Sequence, residues 1–267
     1  MSRTIPLWRS AEISLHRFDH PAEHEDQPYE EVAGSYRASF VERGTFDLEV
    51  DEARWRVTPG DVMLAHPGMR FRAGFEGKGF SDTCLTLTYL AADSETFDRA
   101  SSWSRAGRPI LPASNRVRYL QWGLARAVET DTMMFAEYCA SEIFREIPES
   151  PSTAPRLLSD HKFGWYAERV HAARERLDQK FGETHTVSDL ARAVGMSMFH
   201  FTRVFTELIG RPPHRYLNEV RLRAARDMIC KGLSVTEACF ACGYNNLSHF
   251  SRSFAARYGA SPSRLAR

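Results

Sequence analysis

Two arginines stand in the middle of one short phrase written twice. His200-Phe201-Thr202-Arg203-Val204-Phe205 leads on to Gly210 and Pro213, and His249-Phe250-Ser251-Arg252-Ser253-Phe254 leads on to Gly259 and Pro262, so the copies lie 49 residues apart. A guanidinium is a permanent charge with a planar fork of donors, and that fork matches the O6 and N7 edge of guanine. Around each arginine the side chains are uncharged, with Phe199, Thr202 and Thr206 in the first copy and Ser248, Ser251 and Ala255 in the second. The chemistry this set offers is recognition of a base edge, and no catalytic residue is expected.

Such residues read DNA only if an element holds them outward. Phe201 and Phe205, like Phe250 and Phe254, are four apart, which places each pair on the buried face of a helix and the arginine on the other. A short apolar-periodic helix precedes each copy, at Val187–Val194 and Ser234–Cys242, and Gly195 or Gly243 closes it. Helix, glycine turn and helix with a polar outer face is the layout that sends its second helix into the major groove. Between the units, Pro212 to Lys231 reads as one helix with Leu217, Val220, Ala224 and Met228 inward. Twenty residues span about 30 Å, close to the roughly 34 Å between successive major grooves on one face of B-DNA.

The run from Leu190-Ala191 through Gly195-Met196-Ser197, the first phrase, Gly210 and Pro213, then Ala238 to Tyr244, the second phrase, Gly259 and Pro262, resembles the DNA-binding domain of the AraC/XylS family of bacterial transcription regulators. The resemblance covers about the last hundred residues, in both units and in their spacing. It implies that Phe199, Thr202 and Arg203, then Leu247, Ser248, Ser251 and Arg252, face DNA bases. Thr206 joins them from its place on the outer face.

Charge divides the chain in the same sense. From Asp160 to the end there are 17 Lys and Arg against 10 Asp and Glu, or +7, which leaves −6 for residues 1 to 159 of a chain whose total is +1. A basic half suits a polyanion; the acidic half must do something else. No run of 18 or more apolar residues appears, so no membrane span is expected. Met1 to Ser10 lacks the apolar run of a signal peptide. Five cysteines without framework spacing suit a reducing cytoplasm.

The acidic half reads as a β-rich domain. Glu12–Phe18, Tyr36–Val41, Thr45–Val50, Ala53–Val57 and Val62–Ala65 are short runs of strand formers, separated by turn residues such as Asp51-Glu52 and Pro59-Gly60-Asp61. They predict a small antiparallel barrel or sandwich. Its Pro-Gly-Asp-Val and His-Pro-Gly-Met pieces resemble, more loosely, the cupin-type sensing domain of the same family. His16, His20 and His24 recur at metal-binding spacing, but Pro21 breaks the helix they would need. His66 alone does not make a metal site, and neither metal nor cofactor is expected. Cys84 in its alternating strand reads as a small buried hydrophobe, and Cys239-x-x-Cys242 as helix packing without a second ligand pair.

A helical hairpin follows, Ser114–Thr130 with Val117, Leu120, Leu124 and Val128, and Asp131–Ile147 with Met134, Tyr138, Ile143 and Phe144. Trp122, Met133 and Phe135 exceed one buried stripe; they pack on the barrel or form a dimer seam, and the resemblance favours the seam. Pro148, Pro151 and Pro155 mark a linker, and Phe163–Phe181 opens the basic domain. The expected architecture is α+β. Residues 1–147 form a cupin-like antiparallel β-barrel with its helical hairpin, 148–159 a linker, and 160–267 an all-α domain of two helix-turn-helix units. The expected function is sequence-specific transcription regulation, with double-stranded DNA, RNA polymerase, a small-molecule effector and a second copy of the chain as partners. Whether it recruits or blocks polymerase stays open. Two alternatives stand beside it: a constitutive regulator whose N-terminal domain only dimerises, and a cupin-type enzyme fused to a DNA-binding tail.

Overall fold

The computed structural model describes residues 3–20, 29–74, 82–90, 109–130, 132–143, 146 and 157–265. The chain divides into two compact units, 1–158 and 159–267. In the first, the described strands are β1 (Arg3–Arg9), β2 (Ile13–His20), β3 (Tyr29–Val32), β4 (Arg37–Arg43), β5 (Phe46–Val50), β6 (Ala53–Val57), β7 (Val62–Ala65), β8 (Arg70–Gly74), β9 (Asp82–Tyr89) and β10 (Ile110–Leu111). They form two antiparallel sheets, in the orders β1-β2-β9-β4-β7-β10 and β3-β8-β5-β6.

Alternation decides what faces inward. Val41, Met63, Ala65 and Cys84 from one sheet meet Phe46, Leu48, Val57 and Phe71 from the other in one apolar core. The outer face of the small sheet carries cross-strand ion pairs, Arg56–Asp47 and Arg54–Glu49, from register pairs of β5 and β6. Asp51 and Glu52 join those strands with φ of 47° and 66°, as a two-residue hairpin whose twist matches the sheet requires. Strands β1, β3, β8 and β10 were not expected. β10 has only two residues, and β3 and β8 are rich in charge, with Glu30, Arg70 and Arg72 exposed.

The hairpin consists of α1 (Asn115–Thr130) and α2 (Met133–Ile143). Val117, Leu120 and Leu124, with Ile143 of α2, are buried as expected, but α2 also turns Phe135, Ala136, Cys139 and Ala140 inward and leaves Tyr138 half-buried. The side chain of Met134, Phe144, and Asp131 as a cap lie outside the described residues, as do the linker prolines and His24. Phe135 is covered inside the domain: Tyr119, Trp122 and Tyr138 ring it at centroid distances of 6.4, 6.5 and 6.2 Å. Gly123 admits this close crossing, because a Cβ there would stand 2.7 Å from Cys139 Sγ.

The second unit is helical: α3 (Asp160–Gln179), α4 (Val187–Ala193), α5 (Met198–Ile209), α6 (Pro213–Cys230), α7 (Val235–Ala241), α8 (Leu247–Tyr258) and α9 (Pro262–Leu265). Helix α6 has 18 residues, so it spans about 27 Å. Its inward side is wider than the predicted stripe. Leu217 and Val220 are buried, but Leu222, Ala225 and Ile229 take the places expected of Ala224 and Met228, which are half-buried. The reason is that α6 packs on α3 and α5 and also on α7, α8 and α9, so it must bury two faces.

Candidate nucleic-acid interface

Both helix-turn-helix units are built by the same local devices. Thr186 Oγ1 accepts from Asp189 N to start α4, and Ser234 starts α7 with a full capping box whose Glu237 answers back to the Ser234 N–H. Gly195 and Gly243 then take left-handed φ of 69° and 76°, a conformation that costs other L-residues about 1–2 kcal/mol. Ser197 accepts from His200 N at 3.4 Å and Asn246 Oδ1 from His249 N at 2.8 Å to open α5 and α8. Gly210 and Gly259 end them, again left-handed.

Burial separates two faces on each helix. Phe201, Val204, Phe205, Leu208 and Ile209 are sealed on α5, and Phe250 and Phe254 on α8. Phe205 meets Tyr216 edge-on at 5.9 Å, and Phe254 lies 4.7 Å from Tyr258. On the other face Arg203 and Arg252 are exposed, and among the described residues neither makes a hydrogen bond or ion pair. Phe199 is 81% exposed and Leu247 40%; Ser248 is exposed, while Thr202, Thr206 and Ser251 are half-buried. The eight residues therefore fall into two outward sets, one per helix. Met198, 57% exposed, occupies the place on α5 that Leu247 holds on α8. Sequence reasoning left it out, although the spacing of the two phrases pairs them.

The hydroxyls differ between the sets. Thr202 Oγ1 donates to Met198 O at 2.8 Å and Thr206 Oγ1 to Thr202 O at 2.7 Å. With its one proton committed, each can only accept from a ligand. Ser248 and Ser251 have no such bond among the described residues and keep both roles.

The nearby titratable groups are structural. His200 Nε2 lies 2.8 Å from Tyr166 Oη on α3. Cys239 and Cys242 are buried; burial raises both thiols, Cys242 to about 11, which keeps them protonated inside the second core. Cys84 in the other unit donates to Asp82 Oδ2 at 3.1 Å, and burial followed by that carboxylate pushes its thiol far up. Among the described residues no group of three His, Cys, Asp or Glu side chains could hold a metal, and no helix is long and apolar enough to cross a membrane.

Between the sheets of the first unit lies a cavity of about 100 Å³. Phe18, Phe46, Met63 and Phe71 give it apolar walls, while Arg37 paired with Glu31 at 2.6 Å, and Ser39 bonded to Thr86 at 2.9 Å, give it polar ones.

Comparison with known proteins agrees with this division. A family described as a helix-turn-helix domain matches residues 190–267, and one described as an AraC-like ligand binding domain matches residues 26–131. The chain is 22% identical over 222 residues to the HTH-type transcriptional regulator YbfI of Bacillus subtilis, covering 80% of this chain and 78% of YbfI. It is 38% identical over 82 residues to the HTH-type transcriptional regulator Rv1931c of Mycobacterium tuberculosis, which covers 30% of this chain and 32% of that one. Among solved structures, a transcriptional regulator of Chromobacterium violaceum with an AraC-type DNA-binding domain aligns at 25% identity and a TM-score of 0.36, over 37% of this chain and 89% of its own. An AraC-like ligand binding domain ahead of a helix-turn-helix domain, both recognised at the family level, makes this chain an AraC-family DNA-binding transcription regulator.

Proposed function

We propose that α5 and α8 enter successive major grooves of one duplex. Phe199, Thr202, Arg203 and Thr206 would read one half of the site, and Leu247, Ser248, Ser251 and Arg252 the other. The observation that carries this reading is the pair of unpartnered arginines at equivalent places on two outward faces. Several other arginines of the second unit are engaged by carboxylates, Arg211 with Glu219, Arg192 with Asp189 and Arg174 with Asp178. Unpaired Lys and Arg on the same unit neutralise phosphates and set salt-dependent, sequence-independent affinity; the outer faces choose sequence.

The first unit serves as the sensor. Its cavity suits a small ligand with an apolar body and a polar end that competes for Arg37, and binding there alters how two copies of the chain sit on DNA. The hairpin supplies the dimer seam, residues 148–159 the linker, and the cytoplasm the setting, with RNA polymerase as the final partner. Protection of DNA upstream of the chain's own gene, at stated salt, tests the reading. Two protected major grooves about one turn apart per copy are expected, and protection confined to one groove would refute the double reader.

A further inference from the structure

Arg221 lies midway along α6 and reaches out of that helix to two backbone carbonyls. Its Nε donates to Phe181 O and its Nη2 to Glu183 O, each at 2.8 Å. Both carbonyls belong to the loop between α3 and α4, which opens the first helix-turn-helix unit. The same guanidinium stands 5.9 Å from the centre of the Tyr244 ring. Tyr244 follows Gly243 in the turn that leads into α8, and its Oη donates to Asn218 Oδ1 of α6 at 2.6 Å.

That turn is pressed against the same loop. A Cβ on Gly243 would stand 2.5 Å from Gly182 O and 2.8 Å from Arg221 Nη2, and one on Gly182 would stand 2.9 Å from Ala241 O. Phe181 packs on the core of the second unit. Gly195, the equivalent residue in the first helix-turn-helix, shares the left-handed backbone but has nothing within 4 Å of where a Cβ would be. Backbone conformation accounts for glycine at both turns; contact with a carbonyl accounts for it only at 243.

We infer that Arg221 and Gly243 are positioning residues that clamp the turn before the second reading helix onto the loop between α3 and α4, so that both readers bind as one rigid body with a fixed spacing. The inference rests on the two-groove reading proposed above. A rigid link makes the second contact intramolecular at high effective concentration, but only for DNA of matching geometry. A loosened link lowers that gain and tolerates more spacings.

The test uses the full chain and a site selected by the wild type from random duplexes. Affinity is measured for that duplex, for duplexes with either half replaced, and for duplexes with one base pair added or removed between the halves. Arg221→Lys keeps the charge but loses the two-pronged fork. Gly243→Ala adds the crowded Cβ, and Gly195→Ala is its control, with the same backbone penalty and no crowding. Thermal melting identifies the folded variants.

Arg221→Lys and Gly243→Ala should bind the full duplex about tenfold more weakly, leave half-replaced duplexes within about twofold, and lose most of the wild-type spacing penalty. Gly195→Ala should keep that penalty. Unchanged full-site affinity and spacing dependence in both variants overturn the clamp, as do equal losses on full and half-replaced duplexes. Should Arg221→Lys fail to fold, the contrast between the two glycine variants decides alone. Wild type that binds half-replaced duplexes as tightly as the full one refutes the two-groove reading and the clamp with it.

Discussion

The two helix-turn-helix units share their punctuation and differ in their substance. Each has a capped first helix, a left-handed glycine turn, a capped second helix and a glycine stop. Yet α5 seals five apolar residues where α8 seals two, and α5 presents an 81% exposed phenylalanine where α8 presents a serine. The threonine hydroxyls of α5 are tied to their own helix, whereas the serines of α8 remain free to donate. The repeat thus keeps the frame of the motif and varies its outer face: α5 carries largely apolar groups and hydroxyls already committed as donors, and α8 carries serines that can donate or accept.

The largest effects should come from the cores. Phe205→Ala and Phe254→Ala each remove a fully buried ring and should cost about 3–5 kcal/mol. Hydrogen exchange of peptides covering α5 and α8 distinguishes local from shared opening. Since the units are clamped together, each variant should loosen both helices, and protection lost in one unit only would separate them.

Smaller effects fall on recognition. Arg203→Ala and Arg252→Ala should each remove about 1–3 kcal/mol of discrimination at one half of the site, with bases at the other half read as before. Base substitution scanned against each variant shows which half relaxes, and an unaltered profile for both variants would dismiss the outer-face assignment.

Caps come next. Asn246→Ala should destabilise by about 1 kcal/mol, and Ser197→Ala by less, since its bond is 3.4 Å against 2.8 Å. Urea titration ranks them, and the reverse order would mean that bond length does not govern these caps.

Smallest is a pH effect common to both units. Hydrogen bonding by Thr186 to Asp189, and by Ser234 to Glu237, holds each carboxyl below the usual carboxylate range. A depressed folded pKa means that the stabilisation is full above the unfolded value and disappears as pH falls through the folded one. Carboxyl resonances should therefore titrate below the usual range, and normal titration of either would remove its side chain from the cap.

How much of this was legible follows from the range of the forces involved. Both reading helices, their turns and their outer faces were readable because caps, left-handed glycines and buried pairs act within about four residues. The strands with strong alternation were readable for the same reason. β3 and β8 were not, because Tyr29-Glu30-Glu31-Val32 and Arg70-Phe71-Arg72-Ala73 have too much charge to announce a strand before their partners are known. The inward face of α6 was misjudged because one helix serves two cores. Met198 was legible and overlooked.

The sequence by itself determined two helix-turn-helix units behind an acidic β-rich domain, since repeat, charge and periodicity are local quantities. Only the tertiary structure decided what meets across distance. Strand β9 pairs with β2 and β4, Phe135 is enclosed by rings from two helices, and Arg221 bonds to carbonyls 40 and 38 residues away. A backbone carbonyl has the same chemistry at every position, so no residue type marks which one an arginine will find.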